Sequence, residues 1–410
     1  MKKYEINNLS DTLNRDKEKT VLFGAGKIGE ICLYAMKQRG INIDFFCDSQ
    51  KVKQGKLYFG IKTISPEELE NFDSKTNIFI SNNYVSTINT QLKKKFSNIY
   101  DCAELLDKTD FNLKNDISIA PLKVERLIAF YKNMCMKDEY TSTGTLNLKS
   151  IDIQITERCS LKCKDCSNLM QYYDNPINGE LDLMFKSIKR FMACVDNVYE
   201  FRVLGGDPFM NKDLHKIINN LASYKQVKKI AIYTNARFIP KGENLECLKN
   251  KKVVLDISNY GLLDNAKKKV DELIEVLKEN NIGYSSALVT QWQDCGRILP
   301  FQKRTKEELS RVFNNCCNSD LLSLLHGKLY RCPFSANATN LKAIPKDNTD
   351  IVDLSNDSIS LDDLKLQIKK LTYDKKSLTA CNFCNGRDYK TPAIDAALQA
   401  TTPLSYSKNI

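Results

Sequence analysis

Histidine is nearly absent from this 410-residue chain, which holds two. A metal centre built on imidazoles is therefore not expected, and His215 and His326, each standing alone, read as polar residues of a helix or hairpin. Long apolar runs are missing too. Nothing approaches the ~20 residues of a membrane span, and the opening MKKYEINNLSDTLNRDKEKT lacks the apolar stretch of a signal peptide. The chain thus reads as cytoplasmic, without a membrane span, and it shows no internal repeat.

Cysteine, by contrast, occurs fifteen times. In a reducing compartment such a set does not read as a disulfide framework, so clustered cysteines point to metal or redox sites. Cys32, Cys47, Cys102, Cys135, Cys194 and Cys247 are scattered and read as small core residues. The net charge of +11 invites a nucleic-acid reading. Its lysines, however, are spread along the chain, and runs such as Lys93–Lys95 and Lys267–Lys269 look like solvated helix faces or ends. Nucleic acid is not expected as a partner; an anionic small substrate stays open.

With 42% hydrophobic residues and 27% charged ones, the composition is that of a folded protein, and the length calls for two or three domains. TVLFGAGKIG, EICLYAMKQRG and IDFFCDS read as strand, glycine turn, helix and strand, and TNIFIS and TINTQLKKKF add another strand and helix. Residues 1–115 are therefore expected as an open α/β domain, followed by a helical linker, 116–147. From KSIDIQITERC, strands and helices alternate through about 294, which predicts a parallel sheet with crossover helices. Residues 295–392 are irregular and rich in cysteine, with a hairpin-like LLHGKLYRCP, and 393–410 read as a frayed tail. Active sites in parallel α/β folds lie at the C-terminal ends of strands.

That is where TERCSLKCKDCSN falls, directly after the first predicted strand. Cys159, Cys163 and Cys166 follow CxxxCxxC, and thiolates are soft ligands that select zinc, copper(I) or iron–sulfur clusters. A structural zinc would want a fourth protein ligand, and none lies close in sequence. Three cysteines on a four-iron cluster leave one iron open for something that is not protein. The pattern resembles the radical S-adenosylmethionine enzymes, whose motif is CxxxCxxC after the first strand of a partial (β/α)6 barrel. The resemblance implies a 4Fe-4S cluster whose open iron is chelated by S-adenosylmethionine. It also implies reductive cleavage to a 5′-deoxyadenosyl radical, hydrogen abstraction from a substrate carbon, and a reductase, flavodoxin or ferredoxin as electron donor.

FRVLGGDPFMN extends the resemblance, since Gly205, Gly206 and Asp207 match the family's GGEP element, which receives the amino group of S-adenosylmethionine. Glycines let carbonyls approach an ammonium, and a carboxylate favours its charge. Thr234 and Asn235 in AIYTNA, and Ser258 and Asn259 in LDISNYG, end later strands and match positions near the ribose and carboxylate; each also reads as an ordinary strand-end turn residue. One departure stands out: the family often carries an aromatic before the third cysteine, where it lies by the adenine, and here that residue is Asp165. Arg158, Lys162 and Lys164 are expected to raise the local potential and favour thiolates.

The later cysteines resemble auxiliary-cluster extensions of the twitch or SPASM type. Cys317, Cys332, Cys381 and Cys384 are the expected ligands of a second 4Fe-4S cluster, with Cys316 as the alternative first ligand and Cys295 as a bystander. Four thiolates on zinc are the other reading. In the first domain, GAGKIG matches GxGxxG at Gly24, Gly26 and Gly29, and Asp48 ends the next strand, as a nucleotide-binding fold would place it. CDSQKVKQGKLYFGIKTISPEEL resembles the Rossmann-like modules of sugar-modifying and polysaccharide-biosynthesis enzymes, which implies a bound nucleotide, a nucleotide-sugar or a docking surface. Together these resemblances imply a sugar, nucleotide-sugar or glycan-precursor substrate. A peptide is the competitor within the class. Outside it stand a zinc-stapled α/β binding protein and an NAD-dependent dehydrogenase centred on Gly24 to Asp48.

Overall fold

Strand β1 (Thr20–Phe23) opens a six-stranded sheet whose order is β3-β4-β2-β1-β5-β6. The computed structural model describes residues 18–82, 85–109, 111, 146–261, 266–319, 321–388 and 391–406, with 4, 9, 13, 124, 127, 128, 131, 132 and 135. The chain divides into two units, Met1–Ser142 with Asp388–Lys390, and Thr143–Arg387 with Thr391–Ile410. The expected linker, 116–147, lies largely outside the described residues. Among the described residues no helix is long and apolar enough to cross a membrane.

In the first unit, β1 leads through the glycine turn to α1 (Lys27–Lys37) and then β2 (Phe45–Cys47). A small hairpin, β3 (Leu57–Tyr58) and β4 (Ile61–Ile64), precedes β5 (Asn77–Ile80), α2 (Val85–Leu92) and β6 (Asn98–Asp101). All pairings are parallel except β3 with β4. Strands β1 and β5 are buried along their whole length, which is why TVLF and NIFI read as unbroken apolar runs. The ISPEEL segment starts a short helix in which Ser65 and Glu68 form a reciprocal capping box with Pro66 at the first position.

The second unit is built on β7 (Asn147–Thr156), α3 (Leu181–Cys194), β8 (Asn197–Gly205), α4 (Leu214–Ser223), β9 (Val227–Thr234), β10 (Val253–Asn259), α5 (Ala266–Glu279) and β11 (Tyr284–Leu288). Then come β12 (Gln291–Gln293), α6 (Lys306–Asn315), β13 (Leu322–Leu325), β14 (Lys328–Tyr330), α7 (Pro333–Asn340), β15 (Ile351–Asp353), α8 (Leu361–Lys369) and β16 (Ala393–Asp395). The main sheet runs β11-β10-β9-β8-β7-β13-β14-β15, parallel from β11 to β13. Ile151, Ile153 and Ile155 of β7 face the helices and join one core with Ile188 and Phe191 of α3, Ile217 and Leu221 of α4, and Leu273 of α5. Each such side chain contributes about 1.5–3 kcal/mol on burial. The alternate residues are polar. Asp152, fully buried, pairs with Arg202 of β8 at 2.9 Å, and burial lifts its carboxyl to about 6 although Arg202 pulls the other way.

Two expectations are corrected here. The strands expected through about 294 supply five of the parallel members of this sheet, not all six. Its sixth parallel strand is β13, which comes from the region expected as a separate extension and pairs with β7 at the opposite edge. The physical reason is that β7 has a free edge once β8 takes the other, and the apolar LSLL is fully buried there. The expected frayed tail is also ordered through Tyr406: β16 pairs with β12, Leu404 N–H donates to Gln171 O, and Tyr406 donates to Leu341 O.

Candidate metal and cofactor site

Strand β7 ends at Thr156, whose hydroxyl takes the Arg158 N–H at 3.0 Å and turns the chain into the cysteine loop. Cys163 is buried, and Cys159 and Cys166 are half-buried. The three pack with Leu161, Ala397, Tyr260 and Trp292. Burial pushes all three thiols up, Cys163 to about 12; Asp207 adds to the rise at Cys159 and Cys166 to that at Cys163. Burial therefore outweighs the expected influence of Arg158, Lys162 and Lys164. Thiols held this way become thiolates when a metal displaces the proton.

The glycine-acid element lies directly against this loop. Gly206 N–H donates to Thr156 O at 2.9 Å and Asp207 N–H to Arg158 O at 2.8 Å. A Cβ on Gly205 would fall 2.0 Å from Thr156 O, and one on Gly206 would fall 2.0 Å from Arg158 O. Gly205 also has φ +142, so both glycines are required by the fit. Asp207 differs from its expected role. Its fully buried carboxylate accepts from Phe209 N–H (3.0 Å), Thr234 Oγ1 (2.8 Å) and Asn235 N–H (2.9 Å). It ties the end of β8 to the end of β9. Thr234 is spent in the same network, whereas Asn235 reaches outward, with Nδ2 at 3.6 Å from Cys159 Sγ and 3.3 Å from Ser160 Oγ. Ser258 bonds to Tyr260, and Asn259 Oδ1 is buried with no hydrogen-bond partner among the described residues.

Three residues near the loop were not singled out in the sequence. Arg297 pairs with Asp165, whose backbone carbonyl would lie 2.0 Å from a Cβ on Gly296. Tyr260 and Trp292 pack edge to face at 5.7 Å. The signal available was weak: a glycine–arginine pair after Cys295, and an aromatic directly after Asn259.

The C-terminal cysteines gather elsewhere in the unit. Cys295, Cys316, Cys332, Cys381 and Cys384 line one cavity with Phe313, Phe334 and Arg387; Cys317, the expected ligand, is not among its lining residues. Cys317 donates to Cys316 and drives it down to about 7, while Cys317 itself goes up. Backbone amides already point at two of the sulfurs: Ser335 N–H at Cys332 Sγ and Gly386 N–H at Cys384 Sγ, each 3.3 Å. Arg387 Nε donates to Cys295 Sγ at 3.0 Å. Among the described residues no three His, Cys, Asp or Glu side chains close on a single ion.

In the first unit, Asp48 also departs from expectation. Its carboxylate accepts from Ala25 N–H (2.9 Å), Gln50 N–H (2.9 Å) and Lys53 Nζ (3.0 Å), so it braces the glycine loop from within. Gly24 (φ +125) and Gly29 are needed for packing, their Cβ positions falling 2.6 Å from Ser81 O and 2.0 Å from Gly24 O. Gly26 faces open space and heads α1 with no side-chain cap, which leaves the first N–H groups of the helix available. His215 and His326 bond to Asn244 (3.1 Å) and Glu157 (2.8 Å).

Residues 16–99 match the family described as C2185-like, N-terminal. The chain is 28% identical over 133 residues to the GTP 3′,8-cyclase of Campylobacter lari, covering 31% of this chain and 35% of that one. It is 33% identical over 88 residues to the Clostridium botulinum enzyme of the same name, covering 20% and 26%. These likenesses support the radical S-adenosylmethionine superfamily. The chain spans about a third of the length of the curated relatives it matches. Among solved structures, BtrN in complex with AdoMet and 2-DOIA aligns with a TM-score of 0.37 at 16% identity, covering 58% of this chain and 93% of that one.

Proposed function

We propose that the second unit is a radical S-adenosylmethionine enzyme whose cluster is held by Cys159, Cys163 and Cys166. The observation that carries this reading is the close seating of Gly205 and Gly206 against the three-cysteine loop, where a Cβ on either would fall 2.0 Å from a loop carbonyl oxygen. Cys159, Cys163 and Cys166 would hold a 4Fe-4S cluster that, once reduced by an external electron donor, would supply the electron for reductive cleavage of S-adenosylmethionine and so for hydrogen abstraction from a substrate carbon. The chain's own residues do the holding. Gly205 and Gly206 let the end of β8 close on the cysteine loop, Asp207 fixes that turn, and Asn235 and Asn259 Oδ1 offer polar atoms at the ends of β9 and β10. Tyr260 and Trp292 provide the aromatic surface that Asp165 does not.

The cavity shared by Cys316, Cys332, Cys381 and Cys384 supports a second, four-thiolate cluster, with Cys316 rather than Cys317 as first ligand. Four thiolates on a single zinc are the competing reading, and the sulfide content of the purified protein separates the two. Backbone N–H groups directed at Cys332 and Cys384 are of the kind that set cluster potentials.

The substrate is proposed as a sugar, nucleotide-sugar or glycan precursor. This rests on the first unit, where the strand order β4-β2-β1-β5-β6 and the open α1 N-terminus support a Rossmann-like, phosphate-receiving module. Anaerobic reconstitution tests the reading: about eight irons and eight sulfides per chain, and 5′-deoxyadenosine on reduction with S-adenosylmethionine. Zinc without sulfide sinks it. Deuterium transfer into 5′-deoxyadenosine from a labelled nucleotide-sugar, or from a labelled peptide, separates the two substrate classes.

A further inference from the structure

The segment that reads from sequence as a frayed tail lies along the cysteine loop. Residues 397–400 run antiparallel to it. Lys164 N–H donates to Leu398 O and Ala400 N–H donates to Lys162 O, each at 2.7 Å, so that Cys163 and Gln399 stand opposite each other as a bridge pair. Ala397 is fully buried against Leu161 and Cys163 and holds φ +59, a conformation that a non-glycine residue keeps only where its surroundings impose it. Upstream, β16 is anchored on β12, and Ala396 N–H donates to Thr290 O at 3.0 Å.

The Gln399 side chain completes the contact at both ends of its amide. Its Oε1 accepts the Lys162 N–H at 2.8 Å; its Nε2 donates to Cys163 Sγ at 3.3 Å and to Ala397 O at 2.6 Å. One amide thus fixes the backbone before a cluster cysteine and points a donor at that cysteine's sulfur.

We propose that Gln399 is a positioning residue that sets the reduction potential of the cluster held by Cys159, Cys163 and Cys166; the inference rests on the iron–sulfur reading of that loop. An N–H directed at a ligand sulfur stabilises the more negative, reduced form and raises the potential. Removing it moves the midpoint to more negative values. The main-chain pairing of Leu398 and Ala400 does not depend on the side chain, so the strap itself persists.

The test is an EPR-monitored redox titration of the full, anaerobically reconstituted chain as wild type, Gln399→Ala and Gln399→Glu. It follows the signal that added S-adenosylmethionine perturbs, which singles out this cluster from any other. The expected result is wild-type iron content with a more negative midpoint in both variants. The Gln399→Glu carboxylate keeps an acceptor for Lys162 N–H while offering no donor to Cys163, so this variant carries the measurement even where Gln399→Ala loads no iron. An unchanged midpoint in Gln399→Glu overturns the proposal. A wild-type protein without any signal that S-adenosylmethionine shifts overturns the parent reading instead, and the two failures are distinguishable.

Discussion

The carboxylate of Asp165, inside the cysteine loop, is ion-paired with the guanidinium of Arg297, 132 positions further along the chain. The pair accounts for a residue that its local sequence leaves unexplained: an acid between two cysteines of the proposed cluster site. Arg297 offsets that charge and, through Gly296, brings its own segment flush against the loop. Replacing Arg297 by Ala leaves a buried carboxylate without its ion partner. The expected loss is about 1–3 kcal/mol of stability, seen in urea titrations, together with reduced iron loading. Wild-type loading and stability in that variant would show that the pair is incidental.

Cys159→Ala, Cys163→Ala and Cys166→Ala each abolish 5′-deoxyadenosine formation and remove about four irons per chain. Gly206→Ala does the same without touching a ligand, because its Cβ would meet Arg158 O at 2.0 Å. Iron analysis and product chromatography read both effects. Cleavage at the wild-type rate in any of the three cysteine variants refutes the ligand assignment.

Cys316 and Cys317 are adjacent, yet only Cys316 faces the cavity shared with Cys332, Cys381 and Cys384. Cys316→Ala is therefore expected to lose the second cluster while retaining cleavage of S-adenosylmethionine, and Cys317→Ala to keep both. Mössbauer quantitation of the two variants decides between the neighbours; the reverse pattern would restore Cys317 as the ligand.

Trp292 is the chain's single tryptophan and stacks edge to face on Tyr260 beside Cys159, Cys163 and Cys166. Trp292→Ala should weaken S-adenosylmethionine binding several-fold, about 1 kcal/mol, whereas Trp292→Phe should retain most of it. Equilibrium dialysis against labelled S-adenosylmethionine gives the comparison. Equal affinities for all three proteins would remove the aromatic pair from the site.

Asp152 carries a pH signature. Its carboxyl titrates near 6 in the folded chain because burial disfavours the charge, against about 3.9 when unfolded. Between those values the folded state binds more protons than the unfolded one, so the contribution to stability is present below about pH 4 and lost as pH rises through 6. The melting temperature of Asp152→Asn relative to wild type should rise across that window and level off above it. A difference independent of pH would mean that Asp152 titrates normally.

Legibility in the sequence followed locality. The helices and strands of 147–288 were readable because apolar period and β-branched runs are local, as was CxxxCxxC after a strand. The partners that complete the site were not. Arg297, Trp292 and Gln399 reach the loop from distant segments, and nothing in their own neighbourhoods announces it. Adjacent thiols defeat spacing arguments for a different reason, since only the backbone turn after α6 decides which sulfur faces inward. Asp48 and Asp207 show a third limit: a carboxylate at the right offset serves as well for bracing its own turn as for gripping a ligand.

Gln399 lies 236 positions after Cys163. On a ribosome adding ~5–20 residues per second, a growing chain would carry the three thiols without their covering strand for roughly ten to fifty seconds. During that interval the three thiols stand without the main-chain and amide contacts that residues 397–400 supply, so a cluster assembled before synthesis ends would lack the Gln399 donor.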